Sequence, residues 1–157
     1  MSQNNISVRN QIRELLESEE STAALEKTLD EIESAELLHA VFQLSEDEQR
    51  QLLSAISSDR AAHLVEEFPS SHGADLIEDM APQEAAPILE EMASNFRVDV
   101  LSEMDVHDSE AILELLEEED VQEIRELIAY PADVAGGLMM TEFATYPKTT
   151  LVRDVVE

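Results

Sequence analysis

Residues 61–108, written in rows of twelve, read AAHLVEEFPSSH, GADLIEDMAPQE, AAPILEEMASNF, RVDVLSEMDVHD. The rows align in columns. Phe68, Met80, Met92 and Met104 stand one above another. So do the pairs Leu64-Val65, Leu76-Ile77, Ile88-Leu89 and Val100-Leu101. The i, i+1, i+4 spacing inside each row puts three apolar side chains on one face of a short helix. Ala62, Ala74 and Ala86 form a further column of small residues, which lets neighbouring helices approach closely. Working outward, Leu44 and Ile56 precede this phase and Leu116 and Ile128 continue it, with Leu52-Leu53 and Ile112-Leu113 as flanking pairs. Leu29 and Ile32 fit it further back, and the first thirty residues follow it only loosely. The methionine column and Phe68 read as core packing and require no cofactor.

Helix punctuation falls between the apolar clusters. Ser45-Glu46-Asp47-Glu48 is a capping box, and Asp105-Val106-His107-Asp108 resembles one. Ala81-Pro82 places a proline where a first helical turn tolerates it. Each unit is thus a helix of about two turns plus a short connection, too short to be stable alone in water. Its apolar face must be covered by the next unit. Stacked units of fixed period make an all-α solenoid, and two twelves make one helical hairpin.

The chain has 157 residues, 43% of them hydrophobic but only 4% aromatic, as suits Leu/Ala/Met helix packing. Three glycines and five prolines argue against a β-rich fold. The absence of cysteine excludes disulfides, thiolate metal sites and cysteine catalysis. There are 37 acids against 9 bases, a net charge of -28. Residues 138–157 hold three acids and two bases, so -28 minus -1 leaves -27 on the part before them. Such a field repels nucleic acid and anionic lipid and attracts divalent cations. Most of the acids read as a solvated outer face. The densest run, Glu117-Glu118-Glu119-Asp120, is expected at a helix end. No stretch reaches the apolar length of a membrane span, and Met1–Asn10 lacks a signal-peptide core, so this piece is expected to be soluble.

The pattern changes at Tyr130. Pro131 disfavours helical geometry at the residue before it and should end the last helix. Gly136-Gly137, the one double glycine, reads as a hinge. A short strand, a turn at Pro147 and the opening of an amphipathic helix from Thr149 follow. About twenty residues cannot bury a core, so the chain is expected to be a fragment cut inside a second domain.

Tyr130-Pro131-x-Asp133-x-Ala135-Gly136-Gly137-Leu138-Met139-x-Thr141-Glu142-Phe143 resembles the junction in MgtE-type magnesium transporters, where an acidic helical N domain meets the first of two CBS domains. The twelve-residue helical repeats and the acidity fit the same family. The resemblance implies a right-handed superhelical α-solenoid of short helices followed by a truncated CBS start. It implies an N domain over 1–129, a linker or hinge over 130–137 containing Gly136 and Gly137, and the beginning of a CBS domain over 138–157. It also implies a cytosolic Mg²⁺-sensing regulatory domain that gates the pore of a homodimeric, multi-pass membrane protein. Mg²⁺ would bridge carboxylates between the N domain and the chain's own CBS domains and close the pore; its scarcity would release the N domain. The implied partners are Mg²⁺ and the CBS and transmembrane parts of the full-length protein at the cytosolic face of the membrane, with no nucleic acid.

Two site positions follow from the family pattern. In the family, a segment after an I-L-E-E stretch carries two acids one helical turn apart. Here Ile88-Leu89-Glu90-Glu91 is followed by Asn95 and Asp99. Asp99 falls on the second acid, Asn95 replaces the first, and Arg97 lies close by. A further family acid follows an Ala-Ala pair; here Ala61-Ala62 precedes His63. The implied metal residues are therefore Asp99 and, with its charge lost, Asn95. An ordinary exposed acid is the alternative reading of Asp99.

His39, His63, His72 and His107 show no zinc-binding spacing. Asp75/Asp79 and Glu110/Glu114 are i, i+4 pairs, but nothing in the sequence marks a buried acid suited to catalysis. No enzyme is expected. The rival reading is an interaction scaffold of short helices, similar in texture to the flagellar switch protein FliG, with the acidic face docking a basic partner.

Overall fold

The computed structural model describes residues 2–18 and 21–129. The expected hinge at Gly136-Gly137 and the CBS start at 138–157 lie outside the described residues. Among the described residues the secondary structure is ten helices: α1 Ser2–Glu17, α2 Thr22–Asp30, α3 Ser34–Val41, α4 Glu46–Ala55, α5 Ser58–Glu66, α6 Ser70–Glu78, α7 Pro82–Glu91, α8 Ser94–Glu103, α9 Val106–Leu113 and α10 Glu118–Ile128. From α3 onward each helix has 8 to 11 residues. One helix and its connection fill each period of twelve.

The helices pack on the helix two places ahead. α4, α6, α8 and α10 form one row, and α5, α7 and α9 form the other. Consecutive helices are the two arms of a hairpin, so the all-α solenoid expected from the period is the fold observed. The core runs between the rows. Leu44, Ile56, Phe68, Met80, Met92, Met104 and Leu116 are all buried. Ile128 departs from its column: it is 43% exposed, because it closes α10 and no further described helix lies over it. Burying a leucine-sized side chain contributes about 1.5–3 kcal/mol. That gain is available to a two-turn helix only through its neighbours, which makes the stack cooperative.

Close approach depends on two small columns. Ala62, Ala74 and Ala86 are buried as expected, and so are Ala61, Gly73 and Ala85 beside them. At Gly73 an added Cβ would lie 3.1 Å from a methyl of Val65 and 3.4 Å from one of Val100. The second column then breaks. Its next member is Arg97, buried at 7% exposure where earlier rows have alanine or glycine.

The predicted caps are present with one correction. Ser45 Oγ accepts from Glu48 N (3.3 Å), and Glu48 Oε2 accepts from Ser45 N (2.8 Å), completing the box that starts α4. At Asp105 only a single cap forms: its carboxylate accepts from His107 N at 2.8 Å, the second residue of α9. Asp108 is too short to reach back as a glutamate does in a capping box. Glu117 is the N-cap of α10, and Glu118, Glu119 and Asp120 fill its first turn. Negative charge is favourable at that end of the helix macrodipole.

Residues before Leu29 fold as α1 and α2, outside the twelve-residue phase. Val8 and Ile12 are buried, with Leu15 and Leu16 packed against the core, a helical spacing that does not keep the twelve-residue phase. α1 packs on α3 and α4 and caps this end of the stack. Arg13 holds it there. Its Nε and Nη2 donate to the two oxygens of Glu48 at 2.5 and 3.1 Å. The Arg13 guanidinium and the Ser45 amide hold the Glu48 carboxyl down at about 2.

Candidate functional site

α8 carries both implied metal residues. Ala93 is its N-cap, so Asn95 falls in the first turn and Asp99 one turn later on the same face. Both are half-buried. Asn95 Oδ1 is buried and has no hydrogen-bond partner. Most buried polar atoms in folded proteins are partnered, so an orphaned oxygen calls for a ligand or water. The donors here are one carboxylate and one amide oxygen. Both are hard oxygens of the kind Mg²⁺ accepts while keeping most of its waters. Asp99 therefore fits a Mg²⁺ ion held from one side only; Asn95 Oδ1 is covered in this arrangement, and its side chain must turn outward to reach the same ion. Among the described residues no three His, Asp or Glu side chains converge to hold a metal.

The neighbouring arginine points elsewhere. Two residues apart on a helix means nearly opposite faces, and Arg97 is buried away from the Asn95–Asp99 face. Its Nη2 donates to Glu90 O (3.1 Å) and Met92 O (2.9 Å), carbonyls at the C-terminal end of α7. Its Nη1 lies 3.4 Å from Asp120 Oδ1 in the first turn of α10. Arg97 thus ties the end of α7, the start of α8 and the start of α10 together. The sequence showed Arg97 only as a nearby positive charge; its place in the Ala61, Gly73, Ala85 column was the signal that it is buried.

His63 is on α5, in the other row, and its side chain is 71% exposed. One carboxylate links it to α8. Glu66 lies 3.5 Å from His63 Nδ1, and its other oxygen accepts from Ala93 N at 2.7 Å. The structure therefore brings the end of α5 to the start of α8, where Asn95 and Asp99 lie.

Glu66 belongs to a series the sequence reading missed. Glu26 accepts from Ser57 N (2.8 Å) and Ser57 Oγ (2.5 Å), and Glu78 accepts from Asp105 N (3.1 Å). In each case an acid in helix n holds the N-cap amide of helix n+3. The Ser57 hydroxyl, followed by its amide, pulls the Glu26 carboxyl below the usual range. These acids are structural caps rather than solvated decoration. Glu66 and Glu78 are twelve apart, which was the available signal. Asp79 pairs with Arg50, as does Asp47, and Asp30 with Arg60. Glu110 lies 3.4 Å from Arg125. No described helix is long and apolar enough to cross a membrane.

Residues 29–133 match the family of the MgtE intracellular N domain. Among solved structures, the soluble part of a magnesium transporter superposes with a TM-score of 0.74 at 25% identity, over 88% of this chain and 55% of that one. The cytosolic domain of the Mg²⁺ channel MgtE in complex with ATP superposes with a TM-score of 0.71 at 25% identity, over 84% of this chain and 54% of that one. The chain spans about half the length of both. No curated protein sequence matches significantly.

Proposed function

The chain belongs to the MgtE intracellular N domain family, and on that premise we propose that it is the Mg²⁺-sensing half of a cytosolic gate in a magnesium transporter. The domain is residues 1–129. Residues 130–137, with Gly136 and Gly137, act as the hinge, and 138–157 open the CBS domain that the solenoid closes upon. Asp99 and Asn95 offer oxygens to a Mg²⁺ ion whose remaining contacts come from the CBS side. The full-length protein is a homodimer that places this domain at the cytosolic face of the membrane.

The observation that carries the proposal is the family match over residues 29–133, with Asp99 and Asn95 one turn apart on one face of α8, near the end of α5. Charge supplies the switch. A domain of -26, the -27 of residues 1–137 without Asp133, repels other carboxylates until a divalent ion sits between them. Mg²⁺ then favours the closed arrangement by its difference in affinity for the two states, and by nothing else. The donor set of one amide and one carboxylate makes this a weaker sensor than one with two acids at these positions.

The test is a melting experiment in Mg²⁺ and in NaCl of equal ionic strength. Millimolar Mg²⁺ should raise the melting temperature beyond what NaCl does, and Asp99→Ala should remove the difference. Equal shifts in both salts would leave only general screening and sink the proposal. In the full-length protein, Asp99→Ala should weaken Mg²⁺ protection of the 130–137 linker from protease.

A further inference from the structure

The regular packing loosens at one place. In the odd-numbered row α5 lies on α7 and α7 on α9, while α3 turns to pack on α1. Between α3 and α5, with α2 beside them, is an open cavity of about 570 Å³. Its lining includes Leu37, Leu38 and Leu64. Leu37 and Leu64 are 6% and 8% exposed, and Leu38 is half-buried and open to the cavity. Carboxylates of Glu26, Asp59 and Glu67 stand in the same lining. The one arginine there, Arg60, is already paired with Asp30.

We propose that this groove receives an amphipathic helix from a basic partner protein. The volume is within the range of well-formed binding clefts, about 300–1,000 Å³. An apolar floor between two helices suits the anchors that one helix face presents at i, i+3 or i+4, and i+7. Charge selects the partner. The acidic lining and a chain charge of -28 repel acidic helices, anionic lipid and a second copy of this chain. Lys and Arg flanking the apolar anchors would meet Asp59 and Glu67. His63 also stands in this lining, 3.8 Å from Asp59, but neither Asn95 nor Asp99 does, so an Asp99→Ala variant that has lost any Mg²⁺ response should still bind the partner helix.

The experiment is a binding titration with a Leu/Lys peptide of about 18 residues with leucines on one helical face. A scrambled peptide of the same composition and a Leu/Glu counterpart serve as controls, at about 150 mM salt. The amphipathic Leu/Lys peptide should bind saturably at one site and at least about tenfold tighter than the scrambled one. Leu38→Glu should weaken it about tenfold, while Leu115→Glu, at an exposed leucine beyond α9, should leave it unchanged. The double charge reversal Asp59→Lys, Glu67→Lys should weaken the Leu/Lys peptide at least about tenfold, while the equal charge change Glu118→Lys, Glu119→Lys on α10 should weaken it much less; equal losses would overturn the inference. Asp59 and Glu67 are exposed, so this variant decides the matter even where Leu38→Glu fails to fold by circular dichroism. Equal binding of the scrambled peptide would reduce the effect to charge attraction and overturn the inference. So would equal losses in the Leu38 and Leu115 variants, tighter binding of the Leu/Glu peptide to the unaltered chain, or a chain dimer that Leu38→Glu dissolves.

Discussion

Asn95→Asp tests the candidate site most directly, because it changes charge with almost no change in shape. In the absence of divalent ions it should destabilise the fold. A second carboxylate one turn from Asp99 adds like-charge repulsion of about 0.2–0.5 kcal/mol. The Oδ1 position is buried without a donor, and taking a charged carboxylate rather than a neutral amide out of water there adds about 1–3 kcal/mol. The first turn of α8 returns about 0.3–1 kcal/mol through the helix macrodipole. The net loss is about 1–2 kcal/mol, or a fall of about 3–6 °C in melting temperature for a domain of this size. With Mg²⁺ the sign reverses. A unit charge at 4 Å in a water-like dielectric is worth about 1 kcal/mol, so a divalent ion gains about 2 kcal/mol from the added carboxylate. That is about thirtyfold in affinity. At one hundred times Kd, bound Mg²⁺ contributes about 2.7 kcal/mol and offsets the loss. The assay is a set of melts in chelator, in Mg²⁺ and in NaCl of matched ionic strength, with calorimetric titration of both proteins. A deficit of the same size in all three buffers, with no gain in Mg²⁺ affinity, would refute the assignment of this face.

Three further outcomes follow from contacts at the site and in the stack that holds it. Arg97→Met keeps the buried stem but abandons the Glu90 and Met92 carbonyls, and should cost about 2–4 kcal/mol in urea unfolding. Asp120→Asn should cost less than about 1 kcal/mol, since that carboxylate is 35% exposed and 3.4 Å away; equal losses would show that the ion pair, not the carbonyl capture, matters. Glu48→Gln should remove about 1–2 kcal/mol at neutral pH, after allowing for solvent at a side chain 24% exposed. The Glu48 carboxyl is held at about 2 against an ordinary 4.5, so this stabilisation is fully present above pH 4.5 and is lost as pH falls through about 2. The gap between the two proteins should close over that window, and a gap independent of pH would contradict the Arg13–Glu48 lock. Gly73→Val should destabilise by about 1–3 kcal/mol through overpacking against Val65 and Val100, whereas Gly73→Ala should be nearly neutral because a valine methyl can give way; urea midpoints of the two variants measure the contrast.

Much of the site was visible in the sequence as position and little of it as environment. The Asn95/Asp99 spacing sets one helical face, and the structure keeps it. The burial of Asn95 Oδ1 could not be read, because it depends on what packs over the start of α8. Three of the acids were hidden from the sequence for a similar reason. Glu26, Glu66 and Glu78 look like members of a solvated face, yet each holds an N-cap amide 27 or 31 residues further along the chain.

From α3 onward the period of twelve by itself determined the helices and the need to stack. A two-turn helix with a three-residue apolar face has no stable existence except against its neighbours, and a constant repeat allows only a constant mode of neighbouring. Which row each helix joins, that α3 turns to α1, and which carbonyls and carboxylate Arg97 meets between α7 and α10 were decided by tertiary structure alone. Those features depend on which helix ends meet in space. The residues that make them, such as Arg97 and Asp120 at a separation of 23, carry no local signal of having met.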